Sequence, residues 1–308
     1  MARTIQYGED GSIEIMDVEV ADPGPGEVQV QVAACGICSW DIATAKFGSQ
    51  MSPMAPPGHE GVGYVARLGS GVSEIREGDR VAGGGFTSVR NVSAGRVHKI
   101  PESDLADKYW IVEPVSCAVT GIDHCQIKPG DRIAVIGCGF MGQLILQGLA
   151  RSPLDELIAI DVVQPRLDLA RQVGASEALL TTQLDPMDLK ERELDVVVDT
   201  SGSQAGLDLA TDIVRGGGKI NLFGWIKGQT ASFDPAKWHL KGLTVVNSGP
   251  GSKVRSTFEP AIRLIQKGII DLRPLVTHTV TLDGYPGLMK SILEGDETYI
   301  KGVVTLGS

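Results

Sequence analysis

The sequence predicts an α/β protein in which a β-rich domain resembling a compact barrel precedes a doubly wound parallel sheet. Residues 1 to about 110 contain short strand-like segments separated by glycine and proline turns. Among them, residues 27–32 alternate valine with polar residues, which is typical of a half-buried strand. From about residue 114, apolar runs of strand length alternate with stretches of helical periodicity, which indicates a sheet with helices on both faces.

Residues 132–161 combine a strand, a glycine turn, a helix, a second strand and a final acid. Gly137 would allow the tight turn, Gly139 the approach of a pyrophosphate, and Gly142 the close packing of the helix on the strand. Asp161 follows Gly142 by 19 residues, where its carboxylate can bind both ribose hydroxyls of an adenosine. The stretch therefore predicts a dinucleotide site, although the same glycines could merely turn a βαβ unit.

The predicted cofactor is NAD, because the carboxylate of Asp161 would repel the 2′-phosphate of NADP. Arg166 could pair with Asp161, cover the adenine, or be an ordinary solvated residue at a helix start. The first turn of the helix after the glycines offers N–H groups to phosphate, and later strands end in segments where open α/β sheets bind ligands. The further candidate cofactor residues at these places are Phe140, Met141, Thr200 and Phe223.

The composition is that of an ordinary soluble globular protein, with 308 residues, 42% hydrophobic and 21% charged residues. A net charge of −10 argues against nucleic acid or an anionic membrane as the main partner. No apolar run is long enough to span a bilayer, and no secretory signal is visible. The five cysteines are therefore expected to be reduced thiols of a cytoplasmic protein.

A second set of residues in the front domain offers potential metal ligands: Cys38, His59, Glu60 and, at the domain boundary, Glu113. Thiolate, imidazole and carboxylate groups together suit zinc, which prefers a tetrahedral set of such ligands. Asp41 could accept the free N–H of a ligand histidine and thereby fix its tautomer. From spacing alone, Cys35 and Cys38 could instead form a redox pair or bind one metal together, and an adjacent His and Glu could be purely structural.

The sequence resembles the zinc-dependent medium-chain alcohol and polyol dehydrogenases over almost its whole length. The resemblance implies a GroES-like barrel formed by residues 1–113 and 257–308, and a Rossmann domain formed by residues 114–256. It is carried by these motifs, in order: CGIC…D at 35–41, PPGHEGVGYVARLGSGV at 56–72, GDRVAG at 78–83, VEP at 112–114, PGDRIAVIGCGFMG at 129–142, DVVVDTSGS at 195–203, GGGKINLFG at 216–224 and YIKGVV at 299–304.

The resemblance also implies an activity, the reversible oxidation of an alcohol to a ketone or aldehyde with NAD. One catalytic zinc per subunit would be held by Cys38, His59 and Glu60, with Glu113 binding it directly or through a water, and would stabilise the substrate alkoxide. Backbone groups near Phe223 and Ser248 would meet the nicotinamide amide. The family commonly pairs subunits through the sixth strand of the sheet, so we expect a homodimer or homotetramer.

Three departures from the family pattern concern zinc and the proton. No cysteine lies between residues 39 and 116, so the four-cysteine lobe is missing and we expect no structural zinc. Trp40 stands where a Ser or Thr usually relays the alcohol proton, and Ala43 stands where a His often continues the relay. We expect Glu60 or Glu113 to take the proton through a water, or a neighbouring substrate hydroxyl to assist, as in a polyol, sugar or cyclitol. Trp40 lines the substrate pocket or packs in the barrel.

Two alternatives remain at this point. A zinc-free reductase of the same superfamily would act on quinones or enoyl groups, and the retention of the three candidate ligands argues against it. A protein that binds NAD(H) without turnover, such as a redox sensor, is kept open by the missing proton relay.

Overall fold

The computed structural model describes residues 1–52, 56–225, 229–249 and 252–306. The chain divides into two compact units: Met1–Pro114 together with Ala261–Ser308, and Val115–Pro260. None of the helices in the described part of the chain is long and apolar enough to cross a bilayer.

The two units differ in secondary structure as the sequence predicts: strands dominate the first unit, and strands alternate with helices in the second. The strands are β1 (Ala2–Tyr7), β2 (Ile13–Val18), β3 (Glu27–Gly36), β4 (Glu60–Leu68), β5 (Arg80–Ala82), β6 (Val89–Ser93), β7 (His98–Lys99), β8 (Arg132–Ile136), β9 (Glu156–Asp161), β10 (Glu177–Leu180), β11 (Leu194–Asp199), β12 (Val214–Leu222), β13 (Thr244–Asn247), β14 (Val276–Thr281) and β15 (Lys301–Thr305). The helices are α1 (Ser39–Phe47), α2 (Val112–Cys125), α3 (Phe140–Leu149), α4 (Gln164–Gln172), α5 (Pro186–Glu191), α6 (Gln204–Ile213), α7 (Pro235–Lys241), α8 (Phe258–Gln266) and α9 (Tyr285–Leu293).

The first unit is built around β3. Its neighbours are β15 on one side and β4 on the other in a sheet of order β14-β15-β3-β4-β5-β7, and β6 also pairs with β3. Val28, Val30 and Val32 are fully buried on one face, as their alternation with polar residues predicts. The register then shifts between Val32 and Ala34, so the alternation breaks while the strand continues to Gly36. This extension, which the sequence did not predict, carries β3 to the candidate metal ligands.

Helix α1 follows β3 after two residues and was also not predicted. Asp41, in its first turn, accepts a hydrogen bond from the backbone N–H of Cys38 (2.8 Å), the residue that precedes the helix. An acid in this position satisfies one of the N–H groups left unpaired at a helix start. The short helix lacks a clear apolar stripe in its sequence, which explains why periodicity did not reveal it.

The second unit is a doubly wound sheet, as predicted. Its six strands are parallel and follow the order β10-β9-β8-β11-β12-β13. The apolar runs that indicated strands form the core between sheet and helices, with Ala134, Ile158, Ile160 and Val197 fully buried. The order changes direction at β8, so ligands are expected beyond the carboxyl ends of β8 and its neighbours.

A run of three glycines at 216–218, a pattern that commonly follows the end of a helix, lies inside a strand of this unit. Helix α6 ends at Ile213 and the glycines belong to β12. A Cβ at Gly218 would lie 3.1 Å from the carbonyl oxygen of Asp195 and 2.6 Å from Val214 Cγ2. Glycine is therefore needed there for the close approach to β11, where the ladder shifts register.

Candidate active site

Three of the predicted ligands meet in the first unit. The ligand atoms of Cys38, His59 and Glu60 all lie within 4.8 Å of one another. Cys38 immediately precedes α1 and is separated from β3 by Ile37, while Glu60 opens β4 and pairs with Gly36 in the antiparallel ladder. The strand register thus joins two segments that are 21 residues apart in sequence, counted from Cys38 to His59.

The Glu60 carboxylate has a buried cation beside it that sequence analysis missed. Lys301, the first residue of β15, places its Nζ 2.6 Å from Glu60 Oε2 and donates a hydrogen bond to the carbonyl oxygen of Ile37 (2.7 Å). Both side chains are almost fully buried, with 3% and 2% of the side-chain surface exposed. Burial, the largest single effect, lowers the pKa of Lys301, but the charges of Glu60, Cys38 and Tyr299 together with the hydrogen bond to Glu60 raise that pKa above its ordinary value.

The Cys38 thiol lies in surroundings that disfavour its charge when no cation is bound. Burial raises its pKa, the neighbouring Glu60 carboxylate raises it further, and Lys301 lowers it. A divalent cation among these donors would reverse the balance, because metal binding requires the thiolate and releases a proton. A sulfur, a nitrogen and an oxygen donor within 4.8 Å of one another fit zinc.

Asp41 has a different partner from the one that we expected. Its Oδ2 accepts the backbone N–H of Cys38, and among the described residues no hydrogen bond joins it to the His59 ring. Burial raises the pKa of Asp41 to about 6, against the opposing effects of His59 and of the Cys38 N–H. Asp41 therefore holds the backbone segment that carries Cys38, and its expected role beside the His59 ring stays a prediction.

The two positions that depart from the family's proton relay lie on α1. Trp40 is half-buried in the first turn, and Ala43 is buried. The hydroxyl of Thr44, which is also buried, donates a hydrogen bond to the carbonyl oxygen of Trp40 (2.7 Å). Its proton is therefore engaged within the helix.

Two other polar groups are relevant to the proton. Ser39, which sequence analysis passed over, is exposed and its Oγ lies 3.9 Å from Cys38 Sγ. Glu113 lies in the first turn of α2 and does not belong to the compact donor group among the described residues. Its predicted role as a ligand, direct or through water, stays a prediction.

The glycine turn of the second unit has the geometry that a dinucleotide needs. Gly137 adopts φ +88°, in the left-handed region that favours glycine, and a Cβ at Gly142 would lie 2.0 Å from its carbonyl oxygen. A Cβ at Gly139 would meet no atom within 4 Å, so the backbone is open there for a ligand. Phe140 and Met141 begin α3, whose first N–H groups can receive a phosphate.

Asp161 and Arg166 lie near this turn but do not pair with each other. Asp161 is buried, and its two oxygens accept the backbone N–H groups of Cys138 (2.5 Å) and Val163 (2.8 Å). Arg166 makes no ion pair within the described part of the chain, so the first of its three possible roles, pairing with Asp161, is not formed. Its Nε is buried without a hydrogen-bond partner. Such an orphaned donor beside the glycine turn fits a site that is completed by a ligand.

The other candidate cofactor residues lie at the carboxyl ends of strands. The Thr200 hydroxyl donates to the carbonyl oxygen of Gly137, and the backbone N–H of Phe223 donates to that of Asp199 (2.8 Å). Thr200 thus ties the segment after β11 to the glycine turn.

Ser248, directly after β13, belongs to a buried network that sequence analysis did not foresee. Its hydroxyl donates to Asn221 Oδ1 (2.6 Å) and lies 2.9 Å from His124 Nδ1. Asn221 is fully buried and donates from Nδ2 to the carbonyl oxygen of Gly121 (2.8 Å). In the sequence, the only sign of this network is Asn221, a polar residue between the apolar Ile220 and Leu222 of β12.

Comparison with known proteins agrees with this geometry. The family model described as alcohol dehydrogenase GroES-like domain matches residues 24–102, and the one described as zinc-binding dehydrogenase matches residues 141–267. An L-threonine 3-dehydrogenase from Deinococcus deserti is 28% identical, over 92% of this chain and 93% of its own.

Solved structures show the same fold. The 2R,3R-butanediol dehydrogenase of Bacillus subtilis superposes with a TM-score of 0.88 at 24% identity, covering both chains completely. An enzyme of Escherichia coli CFT073, described as a short chain alcohol dehydrogenase in complex with NADH, gives 0.88 at 23% identity and covers 99% of each chain. The predicted pairing of a GroES-like barrel with a Rossmann domain is thereby confirmed. The chain belongs to the zinc-type medium-chain dehydrogenase/reductase family of alcohol dehydrogenases.

Proposed function

We propose that this protein is a zinc-dependent dehydrogenase that transfers hydride between an alcohol and NAD. The substrate class is a secondary alcohol, polyol, sugar or cyclitol. The observation that carries the proposal is the approach of the Cys38, His59 and Glu60 donor atoms to within 4.8 Å of one another. In the proposed division, residues 1–113 and 257–308 form the catalytic domain and residues 114–256 bind the cofactor.

In the proposed mechanism, the residues of this chain hold the metal and keep its ligands in position. When bound, zinc supplies a Lewis acid for the substrate oxygen and NAD supplies the hydride acceptor. Cys38, His59 and Glu60 would hold the metal, while Asp41 keeps the Cys38 segment in place through its hydrogen bond. Trp40 would line the substrate pocket.

The cofactor side of the proposal rests on the second unit. The N–H groups at the start of α3, from Phe140 and Met141 onward, would receive the pyrophosphate over Gly139. Asp161 would bind the adenosine ribose and favour NAD over NADP, with Arg166 covering the adenine. Thr200, Phe223 and Ser248 would border the nicotinamide half of the cofactor.

One catalytic zinc per subunit and no structural zinc are proposed. Support for the second part comes from the sequence, which has no cysteine between residues 39 and 116. A homodimer or homotetramer is also proposed, because within the described residues β13 is the last strand of the parallel sheet, and the outer side of such a strand can pair with a second copy.

The test is a metal analysis of the purified protein combined with a survey of alcohols in the presence of NAD⁺, followed through the absorbance of NADH. We expect stoichiometric zinc and turnover on at least one secondary alcohol or polyol. Full activity without zinc would support a zinc-free reductase instead. Tight NADH binding without turnover on any substrate would support a sensor, which the absent relay at Trp40 and Ala43 keeps open.

The proton route can be tested with two glutamine variants. We expect Glu60→Gln or Glu113→Gln to lower kcat by on the order of 10²-fold and to alter its pH profile, since a positioned acid or base typically contributes about that much. Metal content is measured in parallel, because Glu60 is also a proposed ligand. Full activity with an unchanged profile in both variants would contradict the proposal. Ser39→Ala serves as the comparison, because the exposed Ser39 hydroxyl lies 3.9 Å from Cys38 Sγ.

A further inference from the structure

The ion pair between Glu60 and Lys301 is made possible by a glycine between two strands. Gly36 on β3 is paired with Glu60 on β4 and with Val303 on β15. A Cβ at Gly36 would lie 2.0 Å from Glu60 Oε2 and 3.1 Å from Lys301 Cε. The side chains from the two outer strands therefore meet above the central strand only because that strand has no side chain at this point.

The Lys301 ammonium contacts one proposed metal ligand, Glu60, and the backbone next to another, Cys38. Besides Glu60 Oε2 at 2.6 Å, it reaches the carbonyl oxygen of Ile37 at 2.7 Å, one residue before Cys38. With 3% and 2% of their side-chain surfaces exposed, Lys301 and Glu60 are screened very little by water. Their mutual attraction is correspondingly strong, and the position of the carboxylate is fixed by it.

We propose that Lys301 is a positioning residue of the metal site, an inference that rests on the function proposed above. Its ammonium reserves Oε2 of Glu60, so that the carboxylate offers the metal only its other oxygen. It also offsets one of the two negative charges that the Cys38 thiolate and Glu60 bring to the site. Without the ammonium both oxygens of Glu60 are available, and the carboxylate takes up a coordination position that substrate needs.

The experiment replaces zinc by Co²⁺, whose visible absorption reports the number and arrangement of its ligands. In Lys301→Met we expect the visible bands to weaken and shift, because an added carboxylate oxygen raises the coordination number. Lys301→Arg, which keeps the cation, is expected to retain the bands of the parent protein. Lys99→Met is the control, since Lys99 pairs with Asp79 in the same unit at a half-exposed position.

The outcomes separate the inference from the function beneath it. Parent bands in a folded Lys301→Met protein would overturn the inference, and so would an equal change in Lys301→Met and Lys301→Arg. A parent protein that binds no Co²⁺ with a thiolate absorption would overturn the proposed zinc site itself.

A second variant keeps the inference testable if Lys301→Met does not fold. Gly36→Ala retains both charges but places a methyl group where Glu60 Oε2 now lies. We expect the carboxylate to be displaced from the ammonium and the Co²⁺ bands to change in the folded variant. Unchanged bands in folded Gly36→Ala would show that the contact does not position Glu60.

Discussion

Replacing Cys38 by serine is expected to remove the bound metal and to lower kcat/KM for alcohol oxidation by on the order of 10³-fold or more. A Lewis-acid metal contributes several kcal/mol of transition-state stabilisation, and each 1.36 kcal/mol corresponds to about a factor of ten. Serine cannot replace the sulfur, because a buried hydroxyl stays protonated where a thiol yields its proton to a cation. Metal content by elemental analysis and kcat/KM with NAD⁺ check the prediction.

Cys35→Ala is the matched control. Cys35 shares the CxxC motif with Cys38, but it is fully buried in an apolar cluster with Ile37, Phe86 and Tyr285. Burial raises the pKa of its thiol well above the ordinary value. We expect Cys35→Ala to keep its zinc and most of its activity. If Cys35→Ala lost metal and activity as Cys38→Ser does, the CxxC would be acting as a pair and the proposed ligand set would be wrong.

The donor group could be predicted because its members lie near each other in the sequence and in recognisable motifs. Cys38 and His59 are brought together by β3 and β4, two strands that follow each other along the chain. Lys301 contacts Glu60 from β15, 241 residues further on, and a single lysine at the start of a short apolar segment carries no local sign of its partner. Long-range pairing between strands is what the sequence did not reveal.

The cofactor turn shows the same division between backbone and side chains. Gly137 and Gly142 occupy positions where the backbone conformation or a close contact excludes a Cβ. Such positions can be recognised in a sequence because only glycine fits them. The contact between Asp161 and Arg166 was a choice among side-chain partners, and the structure shows that backbone N–H groups take the carboxylate instead. Opposite charges in a sequence suggest an ion pair, but they do not show that nearby backbone N–H groups can bind the same carboxylate.

Asp161→Ala is expected to lower kcat/KM for NAD by on the order of 10²-fold while affecting NADP much less. Hydrogen bonds to a charged group contribute about 1.5–3 kcal/mol each, so losing one of them corresponds to a factor of roughly ten to somewhat more than a hundred. The carboxylate holds the backbone N–H groups of Cys138 and Val163, so its removal loosens the glycine turn as well as the proposed ribose contact. A looser glycine turn weakens the binding of both cofactors. The loss of the negative charge, by contrast, favours only NADP, because it removes the repulsion of the 2′-phosphate.

The ratio of kcat/KM for NAD to that for NADP therefore measures how much the charge of Asp161 contributes to cofactor selectivity. We expect this ratio to fall in Asp161→Ala even if both activities decline. Asp168→Ala is the control, because Asp168 is an exposed acid on α4 whose partners, Gln164 and Arg171, lie on the same helix. Asp161→Asn separates the two contributions further, since the amide keeps one acceptor oxygen for the turn but carries no charge. An unchanged preference for NAD in Asp161→Ala, with the protein folded, would show that selectivity comes from residues other than Asp161.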